Sequence, residues 1–517
     1  MKENTRVAVI DMGSNTGRLV IFRLLGRDAW FLEDEIREVV RLRAGMVGDR
    51  MAEEAMQRGI AVLGLFRRFC DSVGVDTVIA TATSAVRDAA NGEEFLRRAR
   101  KVSGWTLQVL GPEEEARLGA VGLLGEVPID SGVVVDIGGG SAQISRVERG
   151  RYRGGSSLPL GALRLTEAFL KSDPPTPEEV EALRAHVRTQ LDGLPELEPL
   201  RPGQVLGGLG GSIRNLGYIE HARQGWPLPT LRGFRIERAR VDELVNRFLS
   251  VPRVRRARIS GLNPDRADIL PAGAVVLQEL MMRLAVDWCH SSVNGLREGL
   301  LIEHFFEGDP PRGSGLREFS VQSLARRYRV RQGHSERVRH LSMRLFDDLK
   351  AEHGLDGLHR ELLAAAAVLH DVGGVLGYHD HHHHSQMLVT LNGLPGFSAR
   401  ETAMIALLTR YHRKGTPTPG IYRRLIDADD RIALKWLSAF LRMAEYLERG
   451  RNGNVTNIEV SARGPRLVEL AISSAGDASV EKWDTERRAV PLLEQMLGRK
   501  VRLTLLEGAA DRLPKRT

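Results

Sequence analysis

Two segments of this chain repeat one local design. "VAVIDMGSNTGRLVIF" (Val7 to Phe22) and "VVVDIGGGSAQISRV" (Val133 to Val147) each carry an apolar strand into an aspartate, a Gly-Ser turn and a second apolar strand. Runs rich in β-branched residues favour strands. Glycine weakens strands and helices alike, so the triplet Gly138 to Gly140 marks backbone that must approach something closely. Two such units, separated by a helix-rich stretch, predict an internally duplicated α/β architecture. A third glycine loop, "VLGGLGGSIRNLGYI" (Val205 to Ile219), reads as strand, glycines, helix.

Successive amide N–H groups between a strand and the next element form a positively polarised nest that suits phosphate. An aspartate at the strand end is placed to hold hydrated Mg²⁺ against that phosphate. A tight β-turn gives the same pattern, so one loop says little, whereas three loops with two internally related point to phosphate. The expected cradle comprises Gly13, Ser14 and Asn15, then Gly138, Gly139, Gly140 and Ser141, and in the third loop Gly208, Gly210, Gly211 and Ser212. Asp11 and Asp136 are the expected Mg²⁺ ligands, with K⁺ a further candidate cation.

The 517 residues exceed one core and divide into roughly three or four domains. Two distant cysteines, Cys70 and Cys289, exclude a disulfide framework or a thiolate metal site and fit a reducing compartment. The chain enters a strand at once, without an apolar leader, and has no apolar run of about 20 residues; the expectation is a cytoplasmic protein without a membrane partner. A net charge of +8 points to polyanionic partners. Its basic residues cluster in "PRVRRAR" (Pro252 to Arg258) and "RRYRVRQGHSERVRH" (Arg326 to His340), which are also what a solvated helix face looks like.

"EGDPPRGSG" (Glu307 to Gly315) reads as a linker. Beyond it "LLAAAAVLH" and "LKWLSAFLRMAEYLER" carry helical periodicity, and from about Val455 short strands return around one helix near Leu492. The expected domains are 1–125 and 126–306, both α/β, an all-α domain at 316–450, and a small α+β domain at 451–517.

Several stretches resemble the exopolyphosphatase / guanosine pentaphosphate phosphohydrolase family: "DMGSNTGRL", "ATATSAVRDAAN", "EEEARLGAVG", "DIGGGSAQI", "SLPLGALRLTEAF", "SGLNPDRADILPAGA" and "GLREGLL". They stand in the family's order, and "LLAAAAVLHDVGG", "HHHHS", "LPGFSARE" and "RYHRK" resemble its long members. The resemblance implies two actin-like, ribonuclease-H-like halves, an all-α HD-like domain and a small terminal α+β domain. It also implies a terminal phosphate bound between the halves, with Arg87 and Asn91 near it and Glu115 of "GPEEEARL" readying the attacking water. A proline followed by three glutamates is also what a helix start favours. The family usually has Glu where this chain has Gln143; an amide can orient water but brings no charge to hold Mg²⁺.

In the helical region His334, His370, Asp371, His384 and His412 are similar to the metal ligands of the HD phosphohydrolase superfamily, with Glu445 in place of its last aspartate. Neutral imidazoles with a carboxylate suit Mn²⁺, Fe or Zn²⁺. His334 shares a helical face with Val338, Leu341 and Leu345 and is expected to point inward. The basic runs, through Arg255, Arg256, Arg326, Arg327, Arg329 and Arg331, would guide a polyanion. The expected activity is release of terminal orthophosphate from inorganic polyphosphate. Alternatives are removal of the 5′ terminal phosphate of guanosine pentaphosphate, or a polyphosphate- or nucleotide-binding regulator, suggested by Gln143 and Glu445. No specific nucleic-acid partner is expected, and the resemblance implies a homodimer.

Overall fold

Val7, Ala8, Val9 and Ile10 are fully buried in succession, so the first strand has protein on both faces. The computed structural model describes residues 3–194, 197–307 and 310–506. One compact unit runs to Trp226 and resumes at Thr230–Arg317; a second comprises Pro227–Pro229 and the chain from Glu318 onward.

The first unit holds two sheets of the same design. In the first, β1 (Glu3–Met12), β2 (Thr16–Leu25), β3 (Ala29–Val39), β4 (Thr77–Ala82) and β5 (Gln108–Val109) lie in the order β3-β2-β1-β4-β5. The second is made of β6 (Gly132–Ile137), β7 (Ala142–Glu148), β8 (Arg151–Leu158), β9 (Val205–Leu209), β10 (Arg235–Glu237) and β11 (Trp288–Ser291). Its order, β8-β7-β6-β9-β11-β10, repeats the first and adds β10 at the edge. In each sheet the first strand pairs antiparallel with the second and parallel with the fourth. This is the actin-like duplication expected from the sequence. Each half closes its own core, one built around Ile10, Leu19, Phe66 and Phe95, the other around Val135, Ile213, Phe248 and Leu277.

The second unit is mainly helical. Its longest described helix, Ala428–Leu447, is buried at every residue from Trp436 to Leu447, as expected of an element surrounded by other helices. Strands β12 (Val455–Arg463), β13 (Leu467–Ser474) and β14 (Lys500–Leu506) form a small sheet in the order β12-β13-β14. Where one helix was expected near Leu492 there are two, Ser479–Arg488 and Val490–Leu497. Pro491 separates them: proline fits a first turn and not a helix interior. The expected linker is shorter than its composition suggests, since a helix starts at Ser314; residues 308–309 of it, and 507–517 of the terminal domain, lie outside the described residues. No single described helix is long and apolar enough to cross a membrane.

Candidate active site

The duplicated turns are alike down to their hydrogen bonds. Gly13 N donates to Thr16 O at 3.1 Å, and Gly138 N donates to Ser141 O at 3.0 Å. Asp11 pairs across its hairpin with Arg18, and Asp136 pairs with Gln143. The two aspartates therefore occupy one position in two copies, and Arg18 is the counterpart of Gln143. The turns also press together. A Cβ on Gly139 would lie 3.1 Å from that of Asn15, and one on Gly140 would collide with the Ser14 and Ser84 hydroxyls, which are themselves 3.0 Å apart. In the third loop Gly210 has φ +90°, and a side chain there would strike Asp136. At Gly140 and Gly210 only bare backbone fits.

Together the loops line one cleft. Of the expected residues, Asp11, Gly13, Ser14, Asn15, Glu115, Asp136, Gly138 to Ser141, Gln143, Gly210 and Gly211 face it. Four do not. Asn91 is buried on Met51, accepting from its N–H at 2.9 Å and donating to its carbonyl at 3.0 Å. Gly208 lies in β9 against Cys289 and Ile213, and Ser212 stands in the helix Gly210–Gln224 against Gly273, so neither reaches the cleft. Arg87 reaches the cleft only through Glu115, donating to its Oε2 at 3.0 Å and to Leu110 O at 2.9 Å.

Glu115 comes from the first turn of the helix Pro112–Leu124. Burial pushes its carboxyl up to about 7, with Asp136 and Asp11 adding to the rise and Arg87 opposing it. The Asp136 carboxyl is pushed up to about 6 by burial, opposed chiefly by Arg214, and burial also raises Asp11. Asp11 Oδ1 and both amide atoms of Asn15 are buried without a hydrogen-bond partner. Orphaned polar atoms beside three carboxylates suit a cation with hard oxygen ligands, such as Mg²⁺, and a ligand rich in acceptors. Gln143 is held in place by its amide nitrogen, which donates to Ser141 Oγ at 2.8 Å and Ser157 Oγ at 3.1 Å.

Sequence reasoning missed the positive wall. Arg18, Arg214, Arg266 and Arg297 all line the cleft. Burial and the neighbouring Arg297 and Arg214 bring Arg18 down to about 9, and burial brings Arg266 down to about 10. For Arg297 burial works in the same sense but is outweighed by Glu298, Glu35 and Asp11, so it is raised. Arg18 and Arg297 share Glu35, each at 2.9 Å, and four arginines so close together suit an anion. Signals existed: Arg266 and Arg297 sit in "NPDRAD" and "GLREG", and Arg18 interrupts an apolar strand.

In the second unit the expected histidines converge. His334 stands in the helix Gln332–Asp348 with Val338, Leu341 and Leu345, all buried. His370 follows the helix Gly357–Leu369, and His412 follows Ala399–Tyr411. The four-histidine run contributes His381 in place of the expected His384. The helix His381–Asn392 begins there, and His384 lies one turn further along, roughly 4.5 Å of axial rise away. Glu445, despite its longer side chain, reaches both His334 (3.2 Å) and His370 (3.1 Å).

The basic runs divide. Arg256 is buried, its guanidinium held by the carbonyls of Phe248, Val251 and Ala267 and by Asp173, so it cannot guide a polyanion. Arg255, Arg326, Arg329 and Arg331 are exposed, while Arg327 is half-buried and donates to Asn392 at 2.7 Å.

The chain is similar to known proteins along most of its length. Residues 33–306 match the Ppx/GppA phosphatase family, and residues 316–477 match Ppx/GppA phosphatase, domain III. A crystal structure of the Aquifex aeolicus member of that family is 29% identical, covering 59% of this chain and 99% of its own, with a TM-score of 0.51. An exopolyphosphatase-like protein is 26% identical over 59% of this chain and 98% of its own, with a TM-score of 0.53. An exopolyphosphatase from Cytophaga hutchinsonii shares the fold at 24% identity and a TM-score of 0.55, covering 59% of this chain and 99% of its own. With its first family match spanning more than half of the sequence and its second covering most of the rest, the chain belongs to the Ppx/GppA phosphatase family.

Proposed function

We propose that the protein is an exopolyphosphatase that hydrolyses the terminal phosphoric anhydride of inorganic polyphosphate. One observation carries the reading: Glu115, its carboxyl pushed up to about 7, lines the same cleft as both glycine turns. A general base works best with a pKa near the working pH, where it is part ionised and still basic enough to take a proton. The exopolyphosphatase-like relative at 26% identity supports the choice of substrate.

In this reading the amides of Gly13 to Asn15 and Gly138 to Ser141 hold the terminal phosphoryl group. Arg18, Arg214, Arg266 and Arg297 neutralise its oxygens and those of the next phosphate. Arg87 holds Glu115 by its Oε2, leaving the other oxygen to accept a proton from water. The water oxygen bonds to the terminal phosphorus as the bridging P–O bond breaks, yielding orthophosphate and a chain shortened by one. Asp11 and Asp136 would hold Mg²⁺, which when bound supplies further charge neutralisation at the phosphate. Gln143, locked by Ser141 and Ser157, orients rather than charges the site.

The test is orthophosphate release from long-chain polyphosphate, with and without Mg²⁺, beside guanosine pentaphosphate as competitor. Mg²⁺-dependent release with the higher kcat/KM on polyphosphate is expected. A higher kcat/KM on the nucleotide, or binding of polyphosphate without release, overturns the reading.

A further inference from the structure

The second glycine turn is held from behind by the helix that follows β8. Every carbonyl of the triplet is taken there. Gly138 O accepts from Ala162 N at 2.9 Å, and Gly139 O accepts from Leu163 N at 2.9 Å and Arg164 N at 3.1 Å. Gly140 O accepts from the Arg164 side chain, whose Nε donates at 2.8 Å. These donors lie in the first turn of the helix Ala162–Phe169, which comes so near that a Cβ on Gly161 would overlap Gly139 O and Ser141 N. Gly138 to Ser141 line the cleft, whereas none of Gly161 to Arg164 does. The three carbonyls therefore point away from the site.

In a planar trans peptide the N–H opposes the C=O. Fixing the carbonyls of Gly138, Gly139 and Gly140 accordingly turns the N–H groups of Gly139, Gly140 and Ser141 toward the cleft. Gly138 N closes the turn on Ser141 O, but none of the other three N–H groups donates to a described residue. They are the donors left over for an anion.

Two of the carbonyls are held by main-chain N–H groups, which almost any residue supplies. The third depends on one side chain. Arg164 is steadied by a second contact, its Nη2 donating to Asp88 Oδ2 at 2.9 Å, and Asp88 Oδ1 in turn lies 3.3 Å from Nε of Arg87, the residue that holds Glu115. The planar guanidinium thus grips a peptide on one side and a carboxylate on the other. A charged donor on the carbonyl also polarises the peptide and makes its N–H the stronger donor.

We infer that Arg164 is a positioning residue for the terminal phosphoryl group: by holding Gly140 O it aims the Ser141 amide at a phosphate oxygen, and Asp88 fixes the guanidinium that does so. The inference rests on the reading of this turn as a phosphate cradle, and it holds whether the chain that ends there is inorganic or a nucleotide.

The probe is orthophosphate, which carries only the group the turn would hold. It is titrated as a competitive inhibitor of phosphate release from radiolabelled polyphosphate by the full-length protein at fixed Mg²⁺. Arg164→Met keeps much of the side chain and removes both of its bonds; it should raise the orthophosphate Ki about 10- to 100-fold, with the melting temperature unchanged. Arg164→Lys, whose ammonium can serve the carbonyl or Asp88 but not both at once, should recover part of that loss. Asp88→Ala should raise Ki by less, and the double variant should be no worse than Arg164→Met, because Asp88 acts through the arginine. Arg164→Gln is read in the same way if the methionine variant does not fold. An unchanged Ki in Arg164→Met overturns the inference while leaving the hydrolytic reading intact. So does an Asp88→Ala loss as large as that of Arg164→Met, since Arg164 would then be only a tie between the two halves. A wild-type protein that releases no orthophosphate defeats the hydrolytic reading itself, and this inference with it, before any variant is compared.

Discussion

Arg87→Met isolates the group that tunes the base. Arg87 donates to Glu115 Oε2 at 3.0 Å, with the two side chains only 19% and 12% exposed, so solvent screens the contact little. A hydrogen bond between charged partners is worth about 1.5–3 kcal/mol, and 1.36 kcal/mol corresponds to one pKa unit, so its loss should raise the Glu115 carboxyl by about 1–2 units. The direction follows from the role: burial already pushes Glu115 up to about 7, Arg87 opposes that push, and the active form is the carboxylate. Activity should therefore fall as pH drops through the acid limb, and in the variant this limb should move about 1–2 units to higher pH. At pH 7, where a group of pKa about 7 is half ionised, kcat/KM should fall about 5- to 50-fold, and most of it should return by about pH 9. Arg87→Lys, which keeps a charge but not the planar fork, should give a smaller displacement. The assay is orthophosphate release against pH at fixed saturating Mg²⁺. An equal loss at pH 7 and pH 9 would falsify the tuning role and leave Arg87 acting on substrate alone.

Glu115→Gln should lower kcat by about 10²- to 10⁴-fold without changing the melting temperature, and turnover near the wild-type rate would remove it as the base. Gly140→Ala drives a methyl into the Ser14 and Ser84 hydroxyls and should cost about 1–3 kcal/mol in denaturant unfolding along with most of the activity; a silent substitution would show that the turns do not meet this closely. Asn91→Ala strands the Met51 amide and carbonyl and should destabilise by about 2 kcal/mol with KM unaltered, whereas a raised KM would return Asn91 to the phosphate site. Gln143→Glu should lower the Mg²⁺ concentration needed for half-maximal rate, since a carboxylate there would add charge while accepting from Ser141 and Ser157; an unchanged requirement would place the cation away from residue 143.

What could be read in advance follows from local rules. Alternating apolar runs, an aspartate at each strand end and the glycines after it specify strand, turn and loop from neighbouring residues, and their repetition implies the duplicated fold. Those rules also brought out Asp11 and Asp136 with most of the glycine loops, whereas Glu115 came from the family resemblance, because a proline followed by three glutamates otherwise marks only a helix start. They failed where a side chain's partner comes from a distant segment. Arg256 and Arg297 look equally exposed in sequence, yet one is spent on backbone carbonyls and Asp173 while the other faces the cleft with Arg18, whose strand lies more than 270 residues away. Within the histidine run, helical position alone could not choose between His381 and His384, because the choice depends on where His412 and Asp371 arrive from other helices. Chain-local chemistry sets which elements form and which atoms are available; the packing of elements far apart in the chain sets which of those atoms meet, and so what is buried, what is paired and what is left to bind.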